Sequence, residues 1–424
     1  MRRLVALAGA SALVVSLAGC TPSEPAPIRI GAVYPLSGSQ GPGGIEEHRG
    51  VALAAELVNA DGGVGGRPIE LVSLDVPSAD AAPGAVELLA DQGISLVVGS
   101  YGSSISSVIA RSTAAEGIVF WETGAVGMLP EDVARGELTF RMPPTGGVLG
   151  RNAIAFVADR LARELGRDAH DLRYGVAFVD DIYGRSVAAG ALAEIDERGL
   201  PLVGRFGYDA RAVDMRELAR RIAAARVDVL FVSAYLEDGI AMREALVAER
   251  VPLVASIGTS SSYCMPQFGD ALGQDAVGLF ASDKPDADAL DTAGLSSEAA
   301  TVLERARTAY RDRWNDEMRS PALAGFAAAW ALFHEVLPNA EPTAIAGVAG
   351  PTPAAVAGAA SAADLPLGAL PNGSGLRFGE PGTPDAGDNL RAAGVIWEWI
   401  RPGEHVVVWP PVFATHPVRA LPIR

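Results

Sequence analysis

The sequence predicts an α/β protein built as two lobes, each a doubly wound parallel sheet covered by helices. Short apolar runs, the pattern of strands buried on both faces, alternate with segments of helical period along most of the chain. The 424 residues, 49% of them hydrophobic, are enough for two separate cores. The alternation falls into two series with a break near Thr139–Thr145, which implies two lobes joined there.

The first twenty residues stand apart from this pattern. Arg2 and Arg3 precede an apolar run, Leu4 to Leu17, shorter than the roughly 20 residues of a membrane span. "LAGC" (Leu17–Cys20) closes it. The segment resembles a bacterial lipoprotein signal, cleaved before Cys20 so that the cysteine is acylated. On that reading residues 1–19 are a signal peptide and 20–27, rich in Pro, Ser and Glu, are a tether. The mature chain is then extracytoplasmic, anchored to the outer face of the cell membrane through Cys20. Cys264 is left as the sole thiol, so no intrachain disulfide is expected. With no histidine motif beside it, Cys264 reads as a small buried hydrophobe.

"IRIGAVYPLSG" (Ile28–Gly38) reads as a first strand entering a loop. Its glycine-rich continuation lacks the spacing and following acid of a dinucleotide fingerprint. Val51, Leu53, Ala54, Leu57 and Val58 predict an amphipathic helix over 45–59, with Gly62 and Gly63 at its C-terminal end. Strand 69–74 follows, then helix 81–92, strand 94–98, helix 104–116 and strand 118–121. "TFRMPPT" (Thr139–Thr145) reads as a link into a long helix, 148–165. The second series runs strand 174–179, helix 185–198, strand 202–208, helix 215–225, strand 229–233, helix 238–250 and strand 253–257. Residues 344–370, rich in Ala, Gly and Pro, predict a short helix and irregular surface. Two late β-rich segments follow, "GLRFGEPGTP" and "AGVIWEWI…EHVVVWPP".

Charge and motif content narrow the function. A net charge of −17 argues against nucleic-acid partners. Lys284 is the only lysine; arginine supplies the other basic residues. His48, His170, His334, His405 and His416 are scattered without metal-ligand spacing, and no metal or cofactor is expected. There is no Gly-x-Ser-x-Gly elbow. Asp180 and Asp181 are adjacent on a strand end, where side chains point apart, and one suits a helix cap. An enzyme is therefore not expected.

In an open parallel sheet, ligands bind beyond the carboxyl ends of the strands. "VVGSYGSSIS" (Val97–Ser106) crosses that edge. Gly99 and Gly102 let the backbone turn. Ser103, with Ser104 beside it, is placed at the N-cap of the next helix, where hydroxyl and free amides suit a carboxylate. "FWETGAV" (Phe120–Val126) spills into Thr, Gly and Ala in the same way. "DDIYG" (Asp180–Gly184) and "SAY" (Ser233–Tyr235) end second-lobe strands with tyrosines that suit the far wall of a cleft.

Together these residues resemble the type I periplasmic binding proteins, and within them the leucine/isoleucine/valine-binding receptors of ABC transporters. The carrying motifs are "IRIGAVYPLSG", "GVALAAELVNADGGVGGRPIELVSLD", "VVGSYGSS", "FRMPPT", "VDDIYGRS" and "VVVWPP". They span nearly all of Ile28–Pro411 in order. The resemblance implies three strands crossing a hinge. Lobe one would hold 28–142 and 282–390, and lobe two 143–281 and 391–424. It implies capture of a small polar solute, an amino acid or related carboxylate or amide, and delivery to an ABC permease. The same fold feeding a signalling partner, as a sensor, is the alternative. Site residues follow from the match: Ser103, Thr123 and Ala125 at the head group, Tyr183 and Tyr235 covering it; Gly102 and Ser104 beside Ser103, and Thr259 in the second lobe, complete the expected ligand-binding set. The family's acid for the α-ammonium has no counterpart; Thr259, Ser260, Ser261 and Ser262 stand there. The threonine also comes first of its pair rather than second, and the first-loop aromatic is absent. Glu122 either supplies the missing negative partner or points to solvent. Trp121 either stacks on the ligand or is buried in its lobe.

Overall fold

The computed structural model describes residues 25–423 apart from 131, 134 and 341–350; the leader, Cys20 and most of the tether lie outside it. Strands β1 (Ile28–Tyr34), β2 (Ile69–Asp75), β3 (Leu96–Gly99), β4 (Val119–Glu122) and β5 (Thr139–Arg141) form a parallel sheet in the order β2-β1-β3-β4-β5. The second sheet is built from β6 (Tyr174–Val179), β7 (Leu202–Tyr208), β8 (Val229–Ser233), β9 (Ala255–Thr259), β10 (Phe280–Asp283), β11 (Val395–Arg401) and β12 (Glu404–Trp409). Its order is β12-β11-β10-β9-β8-β6-β7. The run β7-β6-β8-β9-β10 repeats the first sheet's order, so each lobe reverses strand direction of growth beside its first strand. Such a reversal opens a crevice at the strand ends.

Local sequence explains these elements. β3, β4, β8 and β9 are buried throughout, as expected for strands with helices on both faces. β2 and β7 lie at sheet edges and expose alternate residues. Helix Gly41–Ala60 ends at Asp61, with Gly62 and Gly63 beyond it at positive φ. Helix Ile182–Glu197 is capped by Asp181, whose Oδ1 accepts from Gly184 N at 2.9 Å.

Three expectations are corrected. Thr139–Arg141 is a strand paired with β4, not a link; three residues are too few to show a period. The second sheet is mixed, because β11 runs antiparallel to both β10 and β12. "GLRFGEPGTP" forms isolated bridges, such as Leu365–Leu376 and Phe378–Asn389, rather than a strand.

The chain passes between the sheets three times: after Arg141, after Asp283 and before Val395. Asn389 ties the first and third passages together, donating its N–H to Arg141 O at 2.9 Å. After the second passage, helices Ser297–Trp314 and Ser320–Trp330 return to the first lobe. There Trp121 Nε1 donates to Ala328 O at 2.9 Å, so Trp121 is a core residue. The helical stretch Ser320–Asn339 is long and apolar enough to cross a membrane, but its most apolar part is almost wholly buried in the protein, as in a core helix.

Candidate functional site

The loops after β3, β4, β6, β8, β9 and β10 converge between the lobes. They line a cavity with Tyr101, Gly102, Ser103, Gly124, Ala125 and Val126 on one side. Tyr183, Tyr235, Ser260 and Ser261 stand opposite, and Lys284 comes from the second passage. The cavity measures about 10 Å³, the room of roughly one water. An amino-acid-sized solute enters only if the lobes move apart. Direct bonds hold them together here. Met128 N donates to Ser186 Oγ at 2.8 Å, and Tyr101 Oη comes within 3.5 Å of Ser261 Oγ. Larger grooves, one along Leu57, Arg305 and Asp312 and another along Trp409 and His416, each lie away from the strand ends.

Of the residues expected from the sequence, the structure brings Gly102, Ser103, Ala125, Tyr183 and Tyr235 to this cavity. Ser103 is there in a different role from the one predicted. Gly102, at φ 90°, occupies the N-cap position, and Ser103 is the first helical residue. The Ser103 hydroxyl instead accepts from Gly127 N at 3.0 Å, joining the β3 and β4 loops.

Glu122 reaches neither solvent nor the cavity wall, unlike either expectation from the sequence. It is fully buried, and its Oε1 accepts from the amides of Ser100 (2.9 Å), Gly124 (3.0 Å) and Ala125 (2.9 Å), while the Ser106 hydroxyl donates to Oε2. Burial pushes its carboxyl up to about 7, opposed by the Gly124, Ala125 and Ser100 amides. The side chain at the last position of β4 folds back beneath its own loop, because those amides have no other side-chain acceptor. The Ala125 amide, expected to hold a ligand, is taken by the protein itself.

Thr123, Thr259 and Ser104 are likewise absent from the cavity wall. Thr123 Oγ1 donates to Glu47 Oε1 at 2.5 Å and lies 2.8 Å from Tyr34 Oη. Thr259 Oγ1 lies 3.0 Å from Tyr183 Oη. Ser104 is half-buried in the first turn of helix Ser103–Ala115. Tyr183 Oη also accepts from Ser261 N at 3.3 Å, and Tyr235 Oη donates to Asp181 Oδ2 at 2.6 Å. The two rings pack 5.2 Å apart, so they offer faces to the cavity and spend their hydroxyls within their own lobe.

Beneath the β4 loop lies Glu47, from helix Gly41–Ala60 and fully buried. Its Oε2 has no hydrogen-bond partner, and a Cβ on Gly124 would fall inside its carboxylate. Burial pushes the Glu47 carboxyl up to about 8, partly offset by the Lys284 charge. Lys284 is 3% exposed and its Nζ donates to Gly124 O at 3.0 Å. Sequence reasoning missed Tyr101, Gly124, Val126, Ser260, Ser261 and Lys284 as lining residues. For Lys284 a signal existed: it is the single lysine among 34 basic residues. The position of Glu47 had none, since it reads as one more polar residue on an amphipathic helix.

The cavity contains no described metal-ligating cluster, and its hydroxyls, amides and one ammonium suit binding by hydrogen bonds. Comparison with known proteins identifies the family. The periplasmic binding protein family model matches residues 27–386. The Leu/Ile/Val-binding protein homolog 8 of Brucella suis is 31% identical, covering 97% of both chains. Among solved structures, a putative branched-chain amino acid ABC transporter from Silicibacter pomeroyi superposes with a TM-score of 0.74 at 19% identity, covering 94% of this chain and all of that one. The branched-chain amino acid transporter substrate binding protein from Streptococcus pneumoniae, solved with isoleucine, superposes with a TM-score of 0.69 at 17% identity, covering 91% and 100%. This chain belongs to the type I periplasmic binding proteins of the leucine/isoleucine/valine-binding family, a family of extracytoplasmic solute-binding proteins.

Proposed function

We propose that this protein is a lipid-anchored solute receptor that captures a small polar solute between its lobes and hands it to an ABC permease. The solute class is an amino acid or a related carboxylate or amide. One observation carries the reading: strand-end loops of both lobes meet at a single cavity, with Ser103 and Val126 facing Tyr183 and Tyr235. A solute seated there would bridge the lobes and favour the closed state. The names of the relatives support amino-acid-like ligands and a transport partner. The leader ending in Cys20 supports the anchor, since cleavage before that cysteine would leave it available for acylation.

The test is calorimetric titration of the mature chain with branched-chain amino acids, their amides and small carboxylates. At least one is expected to bind near micromolar affinity, about 8 kcal/mol. Ser103→Ala and Tyr235→Ala should each weaken it at least about tenfold while leaving the thermal transition in place. Unchanged affinity in both variants removes the cavity as the site.

A further inference from the structure

The charges around the cavity define the ligand more narrowly than the fold does. Lys284 Nζ makes one hydrogen bond, to Gly124 O, and stands 5.9 Å over the Tyr101 ring. Among the described residues no carboxylate oxygen lies within 4.0 Å of it. An ammonium has three donors, so two remain unspent on a group that is almost wholly buried. The Lys284 charge acts on the buried Glu47 carboxyl below Gly124 and partly offsets the effect of burial there, but no carboxylate is in hydrogen-bond contact with Nζ, and a buried ammonium without such a contact is costly to keep.

The acids nearby are turned away from the cavity or engaged. Glu122 is wrapped by three amides, and Glu47 lies under Gly124 outside the cavity wall, where burial raises its carboxyl and the Lys284 charge partly offsets that. Asp181 is held by Tyr235 and by its own helix. Asp283 accepts from Ser260 Oγ at 3.0 Å. No described acid lines the cavity. An α-ammonium seated there would meet hydroxyls and a second ammonium, with nothing to neutralise it.

We propose that the ligand is a small organic carboxylate without a free α-ammonium, and that Lys284 is its counter-ion. The carboxylate would take the two remaining Nζ donors as charge-assisted bonds, and the Tyr183 and Tyr235 rings would cover the apolar part. This rests on the solute-binding reading above and narrows it.

The experiment titrates the mature chain, stripped of endogenous ligand, with matched pairs: leucine and 4-methylpentanoate, phenylalanine and 3-phenylpropanoate, glutamate and glutarate. An amine-free member is expected to bind at least about tenfold tighter than its amino-acid partner, and Lys284→Met should lower that affinity at least about tenfold. If Lys284→Met does not fold, the wild-type protein carries the test. Because Lys284 is the only lysine, amine-directed acylation followed by peptide mass mapping reports on it alone among side chains. The bound carboxylate should slow its modification. Amino acids binding more tightly than their amine-free partners would overturn the proposal and leave solute capture standing. So would Lys284 acylation that proceeds unslowed at saturation. Failure of every probe to bind would remove both readings.

Discussion

The amide of Ala125 donates to Glu122 Oε1 at 2.9 Å, within the same loop that borders the cavity. That bond decides which groups remain for a ligand. The protein's own carboxylate fills the place of an anion at the β4 loop, and the polar wall falls instead to Ser103, the serines after β9 and Lys284. The same carboxylate joins Ser100 to Gly124, so the β3 and β4 loops form one unit.

Gly124 is the contact point of that unit with the core below. A side chain at this position would collide with the Glu47 carboxylate, which is buried and cannot swing into solvent. Gly124→Ala should therefore displace the loop, lowering the melting temperature and weakening solute binding together. Overpacking of this kind costs about 1–3 kcal/mol. Differential scanning calorimetry with and without ligand checks it; a variant with wild-type stability and affinity would show the loop to be free of Glu47.

Glu47 also makes stability depend on pH. Its carboxyl titrates near 4.5 when unfolded and is held up to about 8 in the folded protein, with burial the main cause. Folding thus takes up a proton between those values. The Glu47 contribution to stability is complete below about pH 4.5, declines as pH rises toward 8, and levels off above it, a loss of order a few kcal/mol. Glu122, held up to about 7, adds a decline of the same sign. Glu47→Gln, neutral at every pH, should flatten the melting-temperature profile between pH 5 and 8. A slope identical to wild type would assign the titration elsewhere.

Arg141 and Asp388 join two of the three passages between lobes. Arg141 Nε and Nη2 both donate to Asp388 Oδ1, at 3.0 and 2.8 Å, and Arg141 Nη1 donates to Gly127 O. Arg141 is 2% exposed. Asp388→Ala would strand a buried guanidinium and should cost about 3–5 kcal/mol. Because Arg141 also holds the Gly127 carbonyl, the loop that meets Ser103 should loosen as well. Denaturation and hydrogen exchange at residues 124–128 read the two effects separately, and exchange unchanged there would confine the pair to a role in stability.

Much of this architecture is readable in the sequence, because its causes are local. The apolar runs of β3, β6 and β8 and the helical period between them need only neighbours in the chain, so the loops carrying Ser103, Tyr183 and Tyr235 can be placed at strand ends without a structure. The cap at Asp181 is legible for the same reason. Tertiary structure alone decided the rest. Glu122 turned inward because the amides of Ser100, Gly124 and Ala125 converge on it. Glu47 came to lie beneath Gly124, and Lys284 above it, through helix packing and the chain's second passage between lobes. Residues so far apart in sequence meet only through sheet order and packing, and whether a charge is paired or left over depends on those meetings rather than on any periodicity.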